Sequence, residues 1–451
     1  MIQSVRAAQR LDSRGNPTVQ VEVTTAQGLV NSIRSLKSCT FHALVPSGAS
    51  TGTHEAVELR DKDGSKYGGK GVTQAVHNVE QVIGPALVSK GFDPKTQLKD
   101  IDAFMKQLDG TPNKSRLGAN AILGVSMACA RAGAASAGVP LYDFLRTEAG
   151  VKKPYVMPVP FLNVLNGGVH SGNTMAFQEI MIAPTGAESF EEAIRMASEV
   201  YHTLKGVITD KFGAPATGVG DEGGFAPPIS TLEEALDLLT AAIDKAGFTG
   251  RVKLACDPAS SEFFDSDTGN YDLAFKNKSV KDVRDSKEMQ KLYKGILAKY
   301  PMVLLEDPFA EDDWQSWTEF NKDCPVELVG DDLLCTNIER VKMAAEKKAC
   351  NAMLLKVNQI GTVSEAIEAA NYATSLGWGV FVSHRSGETT DDFIADLTVA
   401  LRTGHLKSGA PARGERVAKY NRLMDIEAEL KAKGENVSYA GENFRFGGRV
   451  D

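Results

Sequence analysis

The chain has 451 residues, which is too many for one ordinary domain and predicts two. Its 42% hydrophobic and 24% charged residues are typical of a globular protein in water. A formal net charge of −8 argues against a broad nucleic-acid surface, while a local basic pocket for an anionic substrate stays compatible with it. The six cysteines lack the paired spacing of a disulfide framework or a zinc site. We therefore expect a cytoplasmic protein with reduced thiols and with neither a secretory signal nor a membrane span.

The first part of the chain mixes strand and helix patterns. Valines that alternate with polar residues over 18–24 predict a half-buried antiparallel strand. The segment 45–52 is small and flexible enough for a mobile lid, although on its own a plain surface loop is the better interpretation. Segments 74–88 and 117–139 have the composition and spacing of helices. Together these elements predict an α+β domain.

A domain boundary is expected near residues 150–154, where glycine, two lysines and a proline cluster. We therefore expect an N-terminal capping domain over 1–152 and a C-terminal domain over 153–451. The second domain begins with a strand-like run over 158–165. The glycine-rich loop that follows has His170 at its centre, and a lone loop histidine is more often solvated than functional.

Two glutamates stand out in the next part of the chain. Glu179 lies inside an apolar run, where an unpaired carboxylate is costly, so it is either in a structural ion pair or lines a polar cavity. Glu222 follows Asp221 on a glycine-rich turn, where the glycines let the backbone approach a ligand closely. A plain surface turn is the alternative.

From residue 251 onward one arrangement repeats: a short apolar run leads to a side chain that can bind a metal or move a proton. Continuous apolar runs predict strands that are covered on both faces, as in parallel α/β sheets. The intervals leave room for a strand, a helix and two loops. The five side chains are Asp257, Glu306, Asp331, Lys356 and His384.

Helix start signals lie between the strand-like runs. Residues 336–339 and 362–365 have the spacing of a capping box, as do residues 230–233 earlier in the chain. Strands that alternate with capped helices predict a (β/α) barrel, whose chemistry lies at the carboxyl ends of its strands. The five side chains would then point into one cavity.

Asp257, Glu306 and Asp331 offer hard oxygen ligands, which suit Mg²⁺ rather than zinc. On neighbouring strand ends they would repel one another without a cation, which favours a metal site over three separate surface acids. Lys356, on the next strand, can be neutral and act as a base if it lies partly buried near a dication. A salt bridge from Lys356 to the same acids is the alternative, and the two roles are compatible.

An anion site is indicated after the following strand. Ser383, His384, Arg385 and Ser386 bring hydroxyl groups and a guanidinium to a helix start, which favours phosphate. Lys407, in the next loop, can bind a second anionic group. These groups together suggest proton abstraction beside a carboxylate, with the metal stabilising the resulting dianionic enolate.

Over nearly its full length the sequence resembles the enolase family, whose members dehydrate 2-phosphoglycerate. The shared motifs occur in the family's order, which is far more specific than any one of them. They are DSRGNPTV (12–19), VPSGASTG (45–52), NGGVHSGN (166–173), FQEIMIAP (177–184), VGDEGGFAP (219–227), LEDPF (305–309), GDD (330–332), LLKVNQIG (354–361), SHRSGET (383–389) and GAPARGERVAKYN (409–421).

The resemblance implies an α/β fold with a C-terminal eight-stranded (β/α) barrel of the enolase type and a smaller N-terminal α+β domain, usually in a homodimer. It implies two Mg²⁺ sites, with Asp257, Glu306 and Asp331 as ligands of the first. Ser50, on the lid loop, would join the second ion once the substrate is bound. The expected partners are a phosphorylated hydroxy acid and a second copy of the chain, with no nucleic acid and no membrane.

The same resemblance implies the catalytic roles. Lys356 would take the C2 proton, as the lysine base of this superfamily does beside Mg²⁺. Glu222 would help to protonate the departing 3-hydroxyl, with Glu179 beside it. His170 and the Arg385–Ser386 pair match phosphate-side groups, and Lys407 matches the carboxylate-side lysine. The substrate-binding positions together are His170, Glu179, Glu306, Asp331, Ser383, His384, Arg385, Ser386 and Lys407.

One departure from the family bears on the lid. Between Val30 and Val45 the chain is about eleven residues longer than the family pattern. The extra segment, around 32–42, leaves three outcomes open: a harmless bulge, altered lid closure or a wrongly assigned coding sequence.

Two other functions stay open. The first is another member of the superfamily, an acid-sugar dehydratase or racemase, although Arg385, Ser386 and the two glycine-rich loops favour enolase. The second is a binding or structural relative, such as a crystallin or a surface receptor. The intact catalytic residues argue against a loss of activity and are compatible with a second role.

Overall fold

The computed structural model describes residues 1–26, 38–48 and 52–447. The chain divides into two compact units. The first comprises Met1–Lys153, Lys356–Asn371 and Arg385–Leu401, and the second comprises Pro154–Leu355, Tyr372–His384 and Arg402–Asp451. Two segments from late in the chain therefore belong to the N-terminal unit.

Three strands open the chain, and strands and helices then follow one another. The strands are β1 Ile2–Leu11, β2 Pro17–Ala26, β3 Ser38–Leu44, β4 Tyr155–Met157, β5 Val159–Asn166, β6 Glu179–Ala183, β7 Lys253–Asp257, β8 Phe264–Asp265, β9 Asn270–Asp272, β10 Val283–Arg284, β11 Met302–Glu306, β12 Glu327–Gly330, β13 Ala352–Leu355, β14 Gly379–Ser383, β15 His405–Lys407 and β16 Val437–Tyr439. The helices are α1 Thr73–Asn78, α2 Gly84–Lys90, α3 Leu98–Asp109, α4 Ala119–Ala137, α5 Leu141–Ala149, α6 Phe190–Phe212, α7 Leu232–Lys245, α8 Ser286–Lys299, α9 Trp314–Asn321, α10 Ile338–Lys347, α11 Val357–Ile360, α12 Val363–Ser375, α13 Phe393–Leu401 and α14 Gly414–Ala432.

The first unit contains an antiparallel sheet with the order β1-β2-β3. The alternation predicted for β2 is confirmed, because Val19, Val21 and Val23 are buried and the residues between them are partly exposed. Strand β3 pairs with β2 along its whole length. Residues 38–42 of the extra segment are therefore part of a regular strand, while residues 32–37 lie outside the described part of the chain.

Both helices that were predicted for the first unit are present. The segment 117–139 contains α4, which is buried along most of its length. The segment 74–88 contains most of α1 and most of α2, joined by one π-helical turn over Val79–Ile83. Among the described residues, no single helix is long and apolar enough to cross a membrane, and α4 and α5 meet that test only as a pair bent by 103°.

The start of α12 is held by side chains from α3 and α4. Asp102 Oδ2 accepts the Ser364 N–H at 3.0 Å, and Ser126 Oγ accepts the N–H of the first residue of α12 at 3.0 Å. Thr362 Oγ1 accepts the Glu365 N–H at 3.1 Å, as the predicted capping spacing requires. Three N–H groups that a helix start leaves without an intrahelical partner are thus satisfied.

The substitution Asp102→Asn should stabilise the protein more at pH 8 than at pH 4. Burial raises the pKa of Asp102 from 3.8 to about 6. Because the folded state then holds this proton more tightly than the unfolded chain does, stability falls as the pH rises from about 4 to about 6 and stays lower above that. The shift corresponds to about 3 kcal/mol, which an uncharged amide would recover in part.

Denaturant unfolding of variant and wild type at the two pH values measures this difference. Asp100→Asn on the same helix is the control, because Asp100 is exposed and its neutralisation should change stability little at either pH. A gain for Asp102→Asn of equal size at both pH values would show that ionisation of the carboxyl is not its origin.

The second unit contains a closed barrel with the strand order β5-β6-β7-β11-β12-β13-β14-β15. Neighbouring strands are parallel except at β6, which runs antiparallel to both β5 and β7. Strands such as β5 and β14 are buried at every residue, as expected for strands that are covered on both faces. Side chains that include Phe161, Met181, Leu304, Val329 and Phe381 fill the core as one cluster. The predicted barrel is confirmed, with one reversed strand.

Two helix starts in this unit lie one residue later than predicted. Thr231, rather than Ser230, caps α7 and forms a capping box with the glutamate three residues on. Asn337 caps α10 by accepting the Glu339 N–H. Thr336, the predicted cap, has a φ of 53° and so lacks the extended backbone that a cap residue adopts.

Candidate active site

The strand ends of the barrel bring five of the predicted site residues to one rim. Asp257, Glu306 and Lys407 are the last residues of β7, β11 and β15. Because β6 is reversed, its first residue, Glu179, lies at the same rim and pairs with Asp257 in the sheet. Asp331 directly follows β12, whose parallel pairing with β11 places it at this rim as well.

Lys407 is the centre of a buried cluster of charges. Its Nζ lies 2.7 and 2.8 Å from the two carboxylate oxygens of Glu306. The same atom lies 3.1 Å from Asp257 Oδ2 and 3.1 Å from Glu179 Oε2. All four side chains are at most 5% exposed. The lysine predicted to bind a substrate carboxylate therefore serves here as the counter-ion of three protein carboxylates.

Burial and mutual repulsion disfavour the ionised forms of these acids. Burial, followed by the charge of Asp257, raises the pKa of Glu306 well above its ordinary value, although Lys407 opposes the shift. Burial likewise raises the pKa of Glu179 to about 7, again against the effect of Lys407. Burial also disfavours the ammonium of Lys407, but the surrounding acids outweigh it and raise its pKa well above the ordinary value. The ammonium of Lys407 thus offsets only part of the effect of burial and repulsion on Glu306 and Glu179.

A divalent cation suits these donors. The carboxylates of Glu179, Asp257 and Glu306 share one ammonium, and Asp331 adds to the repulsion that raises the pKa of Glu306. Carboxylate oxygens are the ligands that Mg²⁺ prefers, and buried acids in excess require further positive charge. The predicted ligands of the first Mg²⁺, Asp257, Glu306 and Asp331, therefore fit the ion in both donor type and charge.

Asp307 ties the ends of β11 and β12 together and was not predicted as a site residue. Its two carboxylate oxygens accept the N–H groups of Asp331 and Asp332, each at 2.8 Å. Its own N–H donates to Val329 O at 3.0 Å. Ligand atoms of the three aspartates lie within 4.8 Å of one another. Asp307 therefore sets the spacing between Glu306, its neighbour in the chain, and Asp331.

Glu222 and His170 form a second buried pair at the site. His170 Nδ1 lies 2.8 Å from Glu222 Oε1, and Asn166 Nδ2 donates to Glu222 Oε2 at 2.7 Å. Glu179 offers a ligand atom within 4.8 Å of both partners. Burial alone would raise the pKa of Glu222, but the charge and hydrogen bond of His170 outweigh it and lower that pKa to about 2. Burial disfavours the imidazolium of His170, yet Glu222 raises its pKa, so the proton of the pair lies on His170.

His384 makes a third buried contact, with Arg416. The Nη1 atom of Arg416 lies 2.6 Å from His384 Nδ1. The His384 N–H donates to Lys407 O at 2.9 Å, which links the ends of β14 and β15. The hydroxyl of Ser383 donates to the His384 carbonyl oxygen at 2.9 Å. Ser383 and His384 were predicted from the sequence as site residues, whereas Arg416 and Asn166 were not.

Three predicted residues belong to the first unit. Lys356 directly follows β13 in the chain and is the residue before α11. The Nη1 atom of Arg385 lies 2.9 Å from Glu55 Oε2, so the guanidinium predicted to bind phosphate holds a carboxylate in this arrangement. Ser386 is buried. Ser50, the predicted ligand of a second Mg²⁺, lies outside the described residues.

Two family models match the chain. The model described as "Enolase, N-terminal domain" matches residues 2–145. The model described as "Enolase, C-terminal TIM barrel domain" matches residues 154–447. The first match contains the antiparallel sheet β1-β2-β3, and the second contains all eight barrel strands.

Proposed function

Because the chain belongs to the enolase family, we propose that it catalyses the reversible, Mg²⁺-dependent dehydration of 2-phospho-D-glycerate to phosphoenolpyruvate. The observation that carries this proposal is the convergence of Glu179, Asp257 and Glu306 on one cation at the rim of the barrel. Proton abstraction beside a carboxylate gives a dianionic enolate, which needs concentrated positive charge close by. Buried acids in excess are a means of holding that charge at the reacting end of the substrate.

In this proposal Lys356 is the base that takes the C2 proton. An ammonium loses its proton more readily when it is partly buried and close to further positive charge. Glu222, with Glu179 beside it, acts on the departing 3-hydroxyl. His170 holds a proton next to Glu222, and this proton can pass to the carboxylate as the hydroxyl leaves.

The remaining predicted residues bind the metal and the substrate. Asp257, Glu306 and Asp331 would hold the first Mg²⁺, and Ser50 would join a second once the substrate is bound. When bound, Mg²⁺ supplies Lewis-acid stabilisation of negative charge on the substrate carboxylate. Lys407 would face that carboxylate, and the phosphate-side residues would be His170, Ser383, His384, Arg385 and Ser386.

Formation of phosphoenolpyruvate from 2-phosphoglycerate, followed by ultraviolet absorbance, tests this proposal. We expect turnover with Mg²⁺, loss of turnover with a chelator, and recovery when Mg²⁺ is added back in excess. The same assay on a variant that lacks residues 32–37 should retain turnover, because no predicted reacting group lies there and β3 is left intact.

Glycerate without its phosphate distinguishes the alternatives. Turnover of a non-phosphorylated hydroxy acid in preference to 2-phosphoglycerate would indicate another dehydratase or racemase of the superfamily. A folded protein that turns over neither compound would favour a binding or structural role. We further propose a cytoplasmic homodimer that acts in glycolysis and gluconeogenesis, and sedimentation equilibrium of the purified chain measures its assembly.

A further inference from the structure

We infer that Arg416 is a positioning residue that holds His384 as the neutral tautomer with its hydrogen on Nε2. The Nη1 atom of Arg416 lies 2.6 Å from His384 Nδ1, and both side chains are at most 2% exposed. A guanidinium has five N–H donors, no acceptor, and stays protonated in proteins. The contact is therefore a hydrogen bond only if Nδ1 accepts, which requires Nδ1 to carry no hydrogen.

The same contact excludes the imidazolium form of His384. An imidazolium carries hydrogen on both ring nitrogens, so its Nδ1–H would point at an N–H group of Arg416. Two buried N–H groups that face each other cannot form a hydrogen bond, and the two positive charges would also repel each other. His384 is thus left neutral, with Nε2–H as its one ring donor.

Arg416 is itself fixed by the turn that carries Glu222. Its Nη2 donates to Asp221 O at 3.0 Å. The Ala410 N–H donates to Glu222 O at 2.9 Å. Gly409, the residue before Ala410, has a φ of +82° and packs closely against both groups. A Cβ at this position would lie 2.7 Å from Glu222 O and 2.9 Å from Arg416 Cδ. The guanidinium therefore has one rigid position.

One guanidinium consequently connects two parts of the candidate site. It donates to the turn before Glu222 on one side and to the ring of His384 on the other. A ring that can only donate through Nε2 is suited to an anionic oxygen and unsuited to a cation or an N–H group. Only the identity of that anion, a phosphorylated substrate, rests on the proposed function.

Nitrogen NMR of the full chain, labelled with ¹⁵N at histidine only, tests this inference directly. The chain has 7 histidines, so long-range proton–nitrogen spectra are simple enough to assign, and the signals lost in His384→Gln identify His384. We expect its Nδ1 at the shift of an unprotonated ring nitrogen and its Nε2 at that of a protonated one. A protonated Nδ1, alone or together with Nε2, would overturn the inference.

His405 is an internal reference for this measurement, because its Nδ1 must carry hydrogen whereas that of His384 must not. Its Nδ1 lies 3.1 Å from Thr403 O, which can only accept, so this Nδ1 must carry hydrogen. The two histidines should therefore differ at Nδ1 within one spectrum. Equal Nδ1 shifts for both would contradict the assignment.

Substitution on helix α14 separates positioning from simple structure. In Arg416→Met we expect both neutral tautomers of His384, because the guanidinium that requires Nδ1 to be the acceptor is then absent. Arg422→Met on the same helix removes a guanidinium that pairs with Glu429 at 2.8 Å, and should leave the His384 shifts unchanged. If Arg416→Met does not fold, the wild-type spectrum still decides. A pure Nε2–H form in a folded Arg416→Met would show that Arg416 does not set it.

The two proposals fail independently. A protein without turnover of 2-phosphoglycerate but with the expected His384 shifts would remove the proposed function and keep this inference. An active enzyme with a protonated Nδ1 would do the reverse.

Discussion

In Lys356→Ala, exchange of the C2 proton of 2-phosphoglycerate with solvent should fall by about 10²–10⁴-fold, the contribution expected of a positioned general base. Binding of Mg²⁺ to the same variant should change little, because the acids proposed to hold the ion stay in place. Loss of the C2 label measures the first quantity, and titration calorimetry of the substrate-free protein measures the second. Unchanged proton exchange would refute the role of Lys356 as the base.

Lys356→Arg separates a base from a salt-bridge partner. Arginine keeps the positive charge and can pair with the same acids, but it does not lose its proton in proteins. If Lys356 acts as the base, the arginine variant should exchange the C2 proton as slowly as the alanine variant does. Activity that survives in Lys356→Arg and not in Lys356→Ala would instead assign an electrostatic role to this position.

Lys407→Met should destabilise the chelator-treated protein strongly, by about 3–5 kcal/mol, because it removes one partner of a buried ion cluster. The carboxylates of Glu179, Asp257 and Glu306 would then face one another without the ammonium they now share. Added Mg²⁺ should recover much of this loss, since the ion replaces the missing charge. The thermal midpoint, measured with chelator and with Mg²⁺, should therefore rise more on metal addition in the variant than in the wild type.

Lys419→Met is the matched control for losing a buried ammonium. Lys419 is 1% exposed, lies on α14, and donates to the Glu415 carbonyl oxygen at 2.7 Å. Its removal should lower the midpoint by the same amount with and without Mg²⁺. An equal response of both lysine variants to the metal would show that the acids around Lys407 do not bind it.

Much of the candidate site could be predicted because barrel geometry converts chain position into spatial position. Asp257 and Glu306 end continuous apolar runs, and a residue at the carboxyl end of a barrel strand lies at one rim whichever strand carries it. The same rule explains why Asp331 was found. Lys407 was predicted in a loop and is instead the last residue of β15. Glu179 was flagged for a different reason, since a carboxylate in an apolar run needs a partner.

The reversal of β6 and the role of Arg416 could not be read from the pattern. An apolar run that is buried on both faces looks the same in either direction, so periodicity cannot show that β6 is antiparallel. Arg416 contacts His384 and the Asp221 carbonyl, which are 32 and 195 residues away in the chain. Nothing near Arg416 in the sequence reports partners at such distances.

The reversal of β6 also has a consequence for folding, because it makes one part of the site depend on contacts that are close in the chain and leaves the other part to distant ones. Strands β5 and β6 are antiparallel neighbours, so Asn166, His170 and Glu179 come together through the single loop 167–178, with a smaller closure entropy than contacts more distant in the chain. Lys407 contacts Glu306 and Asp257, which are 101 and 150 residues away in the chain. These contacts require the last strand, β15, to pair with the first, β5, and so close the barrel. The group formed by Asn166, His170 and Glu179 thus depends on local contacts and can form early in folding. The charged cluster around Lys407 forms only when the last barrel strand, β15, pairs with its neighbours.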